Sequence, residues 1–202
     1  MKVTREKAEE NRERVLLAAG MLFRQKGIDG VSVADIMKAA GLTHGAFYGQ
    51  FKSKDDLVVQ SVARALSNSR QAWMARAEKS GDKPFAAVVK GYLTTKHRDC
   101  PANGCAFAAI GDELSRSSPA VRRAATTEFS FLIESLSSLI AGGSRTERRK
   151  RAFAAYSSMI GALLLSRVVD DPEMSAEILA AATHELTCAP ESSGRDARPK
   201  KD

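Results

Sequence analysis

The chain has 202 residues, enough for one domain of ordinary size or two small ones, with a core that needs neither disulfides nor metal. Apolar residues make up 44% and charged residues 27%, which excludes wholesale disorder, and 14 glycines with 6 prolines exclude collagen-like and proline-rich architectures. The net charge of +7 favours a polyanionic partner and is unevenly spread: residues 1–54 hold ten Lys/Arg against six Asp/Glu, the rest 21 against 18.

In chain order the pattern predicts an all-α fold of about nine helices. They run over about 5–26, 33–40, 44–50, 54–79, 83–97, 104–116, 119–140, 145–169 and 173–187. No period-two run of β-branched residues argues for a strand. The charged start (Met1, Lys2, Arg5, Glu6) is not followed by an apolar run, so no secretory signal is expected. Ser32, Ser53 and Ser144 each precede a helix with an acid three residues on, the pattern of a capping box or its Asp variant. Ser118-Pro119 and Asp171-Pro172 read as a cap followed by proline at the first helical position. Gly27, Gly30, Gly41, Gly142 and Gly143 read as stops or turns. The apolar runs at 16–23 and 159–165 fall short of a membrane span, so no membrane contact is expected. Three irregularly spaced cysteines point to a reducing, cytoplasmic setting rather than a disulfide framework. Residues 190–202 contain no apolar residue except Ala197 and read as a disordered tail. A small head over 1–52 and a larger helical body over 53–189 are the expected division.

The strongest signal lies at residues 31–51. A short helix ends at Ala40, and Gly41 permits the left-handed conformation of a sharp turn. Leu42 plugs the angle, and Thr43 caps a second short helix beginning at His44. This is a helix-turn-helix signature. At about 100° per residue, Leu42, Ala46 and Phe47 share one face of the second helix, while His44, Gly45, Tyr48 and Gly49 share the other. The first face should pack on Val15, Ala19, Leu22 and Phe23 and on Val33, Ile36, Met37 and Ala40. The second is narrow and admits close backbone approach, which suits a major groove about 12 Å wide.

At fixed spacing, Ser32, Val33, Ile36, Ala40, Gly41, Leu42, Thr43, Gly45, Tyr48, Phe51, Ser53, Lys54 and Leu57 match the pattern of the tetracycline-repressor (TetR) family, which residues 10–60 resemble. His44 stands where that family often has Lys. The resemblance implies a homodimer bound to double-stranded DNA at a near-palindromic operator, with recognition helices about 34–36 Å apart. Carried onto matching positions, it places Thr43, His44, Gly45 and Tyr48 on the recognition helix, with Tyr48 at a phosphate and Lys54 at the DNA backbone. Ser32 presents a hydroxyl at a helix N-terminus, an anion site. Gln50 offers a donor and an acceptor to a base edge or phosphate. The plainer readings are a packed core tyrosine for Tyr48 and capping alone for Ser32 and Thr43.

In the body, the helices at 145–169 and 173–187 are amphipathic at the helical period. The resemblance implies that they pair with their copies as a dimer bundle, through Tyr156, Ile160, Leu164, Ile178 and Ala182. Intramolecular core is the competing reading. The basic run Arg145, Arg148, Arg149, Lys150 and Arg151 reads as a solvated face. By the same resemblance the middle helices enclose a pocket for an unknown small-molecule effector. Its candidate walls are Trp73, Tyr92, Cys105, Phe107 and Phe129, apolar with few polar anchors.

Gly104-Cys105 before an apolar run resembles a subset of these regulators, some of which sense electrophiles or oxidants through that cysteine. Cys105 thus has three readings. It is a packed small residue, a reactive thiol at a helix N-terminus with Cys100 as partner, or a zinc ligand with His97, Asp99 and Cys100.

The expected function is a one-component regulator, most simply a repressor released from its operator by a small-molecule or thiol-reactive effector. No cofactor and no metal are expected. A non-specific architectural DNA-binding protein is the alternative and would show no preference for a palindrome. An enzyme is disfavoured: the chain has no Gly-x-Ser-x-Gly, phosphate loop or metalloprotease motif, and His44, His97 and His184 lie far apart.

Overall fold

A computed structural model describes residues 4–188 of the chain. The described residues form nine α-helices and no strand. They are α1 (Arg5–Lys26), α2 (Val33–Ala39), α3 (Lys54–Glu78), α4 (Pro84–Tyr92), α5 (Thr95–Asp99), α6 (Ala106–Arg116), α7 (Pro119–Ser138), α8 (Arg145–Val168) and α9 (Pro172–Cys188). Single 3-10 turns lie at His44–Ala46 and Pro101–Asn103. The tail expected over 190–202 lies outside the described residues.

The helix starts follow the capping residues. Ser32 with Asp35, and Ser144 with Glu147, form reciprocal capping boxes. Ser53 accepts from the Asp56 N–H at the start of α3. At α9 the cap is Asp171, whose carboxylate accepts from the N–H groups of Glu173 and Met174. Ser118 differs: Pro119 opens α7 as expected, but the Ser118 hydroxyl makes no capping bond.

Two expected helices are different in the structure. The segment 44–50 is one 3-10 turn followed by hydrogen-bonded turns, closed by the Phe51 N–H donating to the Phe47 carbonyl at 3.0 Å. Two glycines in seven residues each cost about 1 kcal/mol of helix propensity relative to alanine, and so short a helix has no reserve. The segment takes its shape from Phe47 and Phe51, which stack with centroids 5.6 Å apart and are buried. The helix expected over 83–97 breaks at Leu93 and Thr94. Thr94 is extended, and its hydroxyl accepts from the His97 N–H to start α5.

One hydrophobic cluster runs from Val15 in α1 to Leu179 in α9. Helix α1 packs on α2, α3 and α6, while α3 packs on α7, and α8 packs on α7 and α9. The basic run at the start of α8 is absorbed locally. Arg149 pairs with Glu134 at 2.6 Å, and Arg148 and Arg151 donate to the carbonyls of Gly143 and Ala141, closing the α7–α8 turn. Among the described residues no helix is long and apolar enough to cross a membrane.

Candidate nucleic-acid interface and body cavity

The turn between α2 and the 3-10 segment is made by Gly41, at φ +68, and by the Leu42 N–H donating to the Met37 carbonyl at 2.9 Å. Two arginines of α1 hold the turn and the segment after it. Arg14 donates to the Ala40 carbonyl, and Arg12 donates to the Gln50 carbonyl and the Gln60 side chain. The Arg12 guanidinium also lies 4.6 Å over the Phe51 ring. The sequence pattern singles out neither arginine. Their charge is visible in it, but nothing local pairs a residue in α1 with a carbonyl 38 residues on.

With Phe47 1% exposed and Ala46 and Leu42 packed against the core, the opposite face of the segment is free. Tyr48 is 70% exposed, with the His44 ring edge-on at 5.9 Å. Gly45 lies beside them, and a Cβ built there would meet nothing within 4 Å. Thr43 is exposed and its hydroxyl makes no capping bond. These four residues therefore share one outward face. Ser32 stands exposed at the start of α2 with its hydroxyl engaged by Asp35, and Lys54 stands half-buried at the start of α3. Gln50 is turned inward, its amide oxygen buried without a hydrogen-bond partner.

The five expected pocket residues divide between two cavities. Trp73, Tyr92 and Cys105 line a cavity of about 520 Å³ between α1, α3 and residues 91–105. Phe107 and Phe129 line a smaller one of about 230 Å³ between α6 and α7. Tyr156 stands between them. The resemblance implies a dimer surface for it, but it is 1% exposed and sits edge-on to Trp73 and Phe107 and stacked against Phe129. Its hydroxyl is 3.2 Å from Cys105 Sγ. The reason is that α8 is apolar on two sides. Ala152, Tyr156, Met159 and Leu163 face inward, while Phe153, Leu164, Leu165 and Val168 face out. Periodicity alone does not say which stripe goes where. Of the other four expected dimer positions, Leu164 is exposed, and Ile160, Ile178 and Ala182 are half-buried.

His97 joins the two walls of the larger cavity. Its Nδ1 is 2.8 Å from the Tyr92 carbonyl, and its Nε2 accepts from the Cys105 N–H at 2.9 Å. The first contact therefore needs Nδ1–H, which fixes the neutral tautomer. With both nitrogens engaged, His97 has none left for zinc. Among the described residues no group of three or more His, Cys, Asp or Glu is placed to hold a metal.

Burial holds the His97 pKa below its ordinary value, opposed by the bond to Tyr92. The unfolded chain therefore takes up the proton first. The stabilisation is complete above about pH 6.5 and is lost as pH falls through that value toward the folded-state pKa. Urea denaturation should show stability falling over this interval, and His97→Asn should remove that part of the fall. It should also cost about 1–3 kcal/mol at neutral pH by orphaning the Cys105 N–H. An unchanged slope in His97→Asn would assign the acid sensitivity to other groups.

Besides the contacts of Arg12 and Glu13 with α3, two bonds tie the end of α1 and the loop after it to residues 102–113. Arg24 Nε donates to the Ala102 carbonyl at 2.7 Å, and the Ile28 N–H donates to the Glu113 carboxylate at 2.5 Å.

Residues 15–60 match the sequence model of the family described as "Bacterial regulatory proteins, tetR family". Over 65 residues the chain is 46% identical to the HTH-type transcriptional regulator AcrR of Shigella flexneri, an alignment covering 32% of this chain and only 30% of that regulator. An uncharacterized HTH-type transcriptional regulator of Mycobacterium tuberculosis is 28% identical over 172 residues, covering 79% of this chain and 86% of the relative. The fold is similar to the crystal structure of a TetR-family transcriptional regulator from Cytophaga hutchinsonii, with TM-score 0.76, 19% identity, and coverage of 96% of this chain and 100% of that one. Residues 15–60 thus carry the helix-turn-helix segment of the tetR family of bacterial regulatory proteins, and the chain is similar in fold to a TetR-family regulator over nearly its whole length.

Proposed function

We propose that this chain is a DNA-binding transcriptional repressor, acting as a homodimer and released from a near-palindromic operator by an effector bound in its body. Residues 1–52 are the DNA-binding head in this reading, and 53–189 carry the effector site and the dimer surface. The observation that carries it is the outward face of residues 43–48. There backbone is open to a partner at Gly45, beside a Tyr48 ring that no core contact requires to be exposed. A major groove admits so slim an element, and the helix N-termini at Ser32 and Lys54 flank it for phosphates.

The dimer rests on the outer stripe of α8 and α9. Leu164, Leu165, Val168 and Met174 are 48%, 55%, 70% and 50% exposed, too much apolar surface on one side to be left to water. Release rests on the two bonds from the α1 end of the head to Ala102 and Glu113, because whatever moves residues 100–113 moves the head. A small molecule is favoured over a thiol-reactive effector because Cys105 is 4% exposed, against Tyr156.

Selection of bound duplexes from a random pool tests this reading. It should return an inverted repeat that outcompetes a single half-site and random duplex at fixed salt. Recovery of no preferred sequence would establish the architectural alternative instead. Lys54 has no acidic partner among the described residues. Lys54→Ala should therefore weaken operator binding and flatten the log–log salt dependence by about one unit per head engaged. An unaltered slope would assign Lys54 to packing.

A further inference from the structure

The larger cavity carries charge of one sign only. Its ionic lining is Arg24, Arg64, Arg76 and Lys96, and no Asp or Glu lines it. Arg64 is neutralised by Glu13. Arg24, Arg76 and Lys96 have no carboxylate within ion-pair distance among the described residues. Two glycines make room for the arginines. A Cβ at Gly91 would collide with the Arg76 guanidinium, and one at Gly20 would stand 3.3 Å from that of Arg24. Arg76 could not hold its place against a larger residue at Gly91, and Arg24 would have to shift slightly for one at Gly20.

The rest of the wall is mixed, with Leu16, Met21, Trp73 and Tyr92 giving it an apolar, aromatic part and neutral side chains such as Asn68 and Asn103 a polar one. Tyr92 is 3% exposed, yet its phenol oxygen has no hydrogen-bond partner among the described residues. Burial, first, and the neighbouring Cys105 hold that phenol well above the ordinary tyrosine value, so it stays protonated and lacks an acceptor. A buried donor left without a partner costs about 1–3 kcal/mol, and two guanidinium groups in the lining of the same cavity, without a carboxylate, set the charge of a ligand that would answer it.

We propose that this cavity binds a small organic anion with an apolar body, its anionic group held by Arg24 and Arg76 and its body lying against Trp73 and Tyr92. The inference rests on the effector-released reading and supplies the chemical class of the effector. It also places the ligand at the head itself. Five lining residues, Leu16, Leu17, Gly20, Met21 and Arg24, belong to α1, and Arg24 is the residue that ties α1 to Ala102. An anion that draws on the Arg24 guanidinium competes with that tie.

Trp73 is the chain's single tryptophan and lines the cavity, so its emission reports occupancy directly. The full-length protein would be titrated with phenylbutyrate, phenylbutanol and phenylbutylammonium, matched in length and differing in charge. The carboxylate should shift Trp73 emission saturably, with an affinity about tenfold or more above the alcohol's, and the ammonium should not bind. Arg76→Gln should weaken the carboxylate about tenfold and leave the alcohol unchanged. Arg76 makes no hydrogen bond within the described residues, so the fold does not depend on it as it does on Arg24. Equal affinity for the alcohol, binding of the ammonium, saturable binding by none of the three, or an unaffected Arg76→Gln would each overturn the proposal. Operator binding is measured separately on the same samples. Carboxylate binding that leaves operator affinity unchanged would sink the effector reading and keep the anion site, whereas intact operator binding without any carboxylate site would do the reverse.

Discussion

Gly45→Leu should abolish operator binding, with a loss in affinity of about two orders of magnitude or more, while leaving the fold and the melting temperature nearly unchanged. The expectation comes from the surroundings of the residue. No atom lies within 4 Å of a Cβ built there, and its φ is not in the left-handed region, so the chain itself accommodates a side chain without strain. What a leucine would obstruct is whatever docks on that face. Specific DNA recognition depends on side chains and backbone reaching base edges and phosphates together, so holding the element off by one side chain breaks many contacts at once. Electrophoretic or anisotropy titration against the selected duplex checks the affinity, and thermal melting checks the fold. Retained tight binding would move the recognition surface away from residues 43–48. Loss of both binding and fold would place Gly45 in the packing instead.

The second large effect belongs to Tyr156. Tyr156→Ala should destabilise the protein by about 3–5 kcal/mol, the range for emptying a buried aromatic site. Tyr156→Phe should cost only about 1 kcal/mol, since it keeps the ring and gives up one hydroxyl contact to Cys105. The contrast separates core from interface. The ring is 1% exposed and touches Trp73, Tyr92, Phe107 and Phe129, so its removal opens a void beneath both cavities. Urea denaturation followed by Trp73 emission measures both variants, and sedimentation of Tyr156→Phe should match the parent protein. A stable Tyr156→Ala that merely dissociates would return this residue to the dimer surface.

These two positions also mark how far the sequence is legible. Gly45 follows a turn and a capped helix whose residue types act locally. Capping boxes at Ser32 and Ser144, the left-handed turn at Gly41 and the proline starts of α7 and α9 are written within four residues of where they act. The all-helical fold and the outward set Thr43, His44, Gly45 and Tyr48 are readable for that reason. The conformation of residues 44–50 is not. Its 3-10 turn is set by the burial of Phe47 and Phe51 and by Arg12 reaching across from α1. Propensity is a local quantity, and this segment is shaped by distant partners.

What the amino-acid sequence by itself determined was the class of fold, the helix starts marked by a serine cap or a proline, and the outward set of residues 43–48, because all three depend on backbone hydrogen bonds and side chains close along the chain. What only the tertiary structure decided was which stripe of α8 turned inward, the partition of the expected pocket around Tyr156, and the gathering of Arg24, Arg76 and Tyr92 around one space. Those outcomes depend on which helix covers which face. Residues far apart in sequence meet there, and nothing in either neighbourhood alone encodes the meeting.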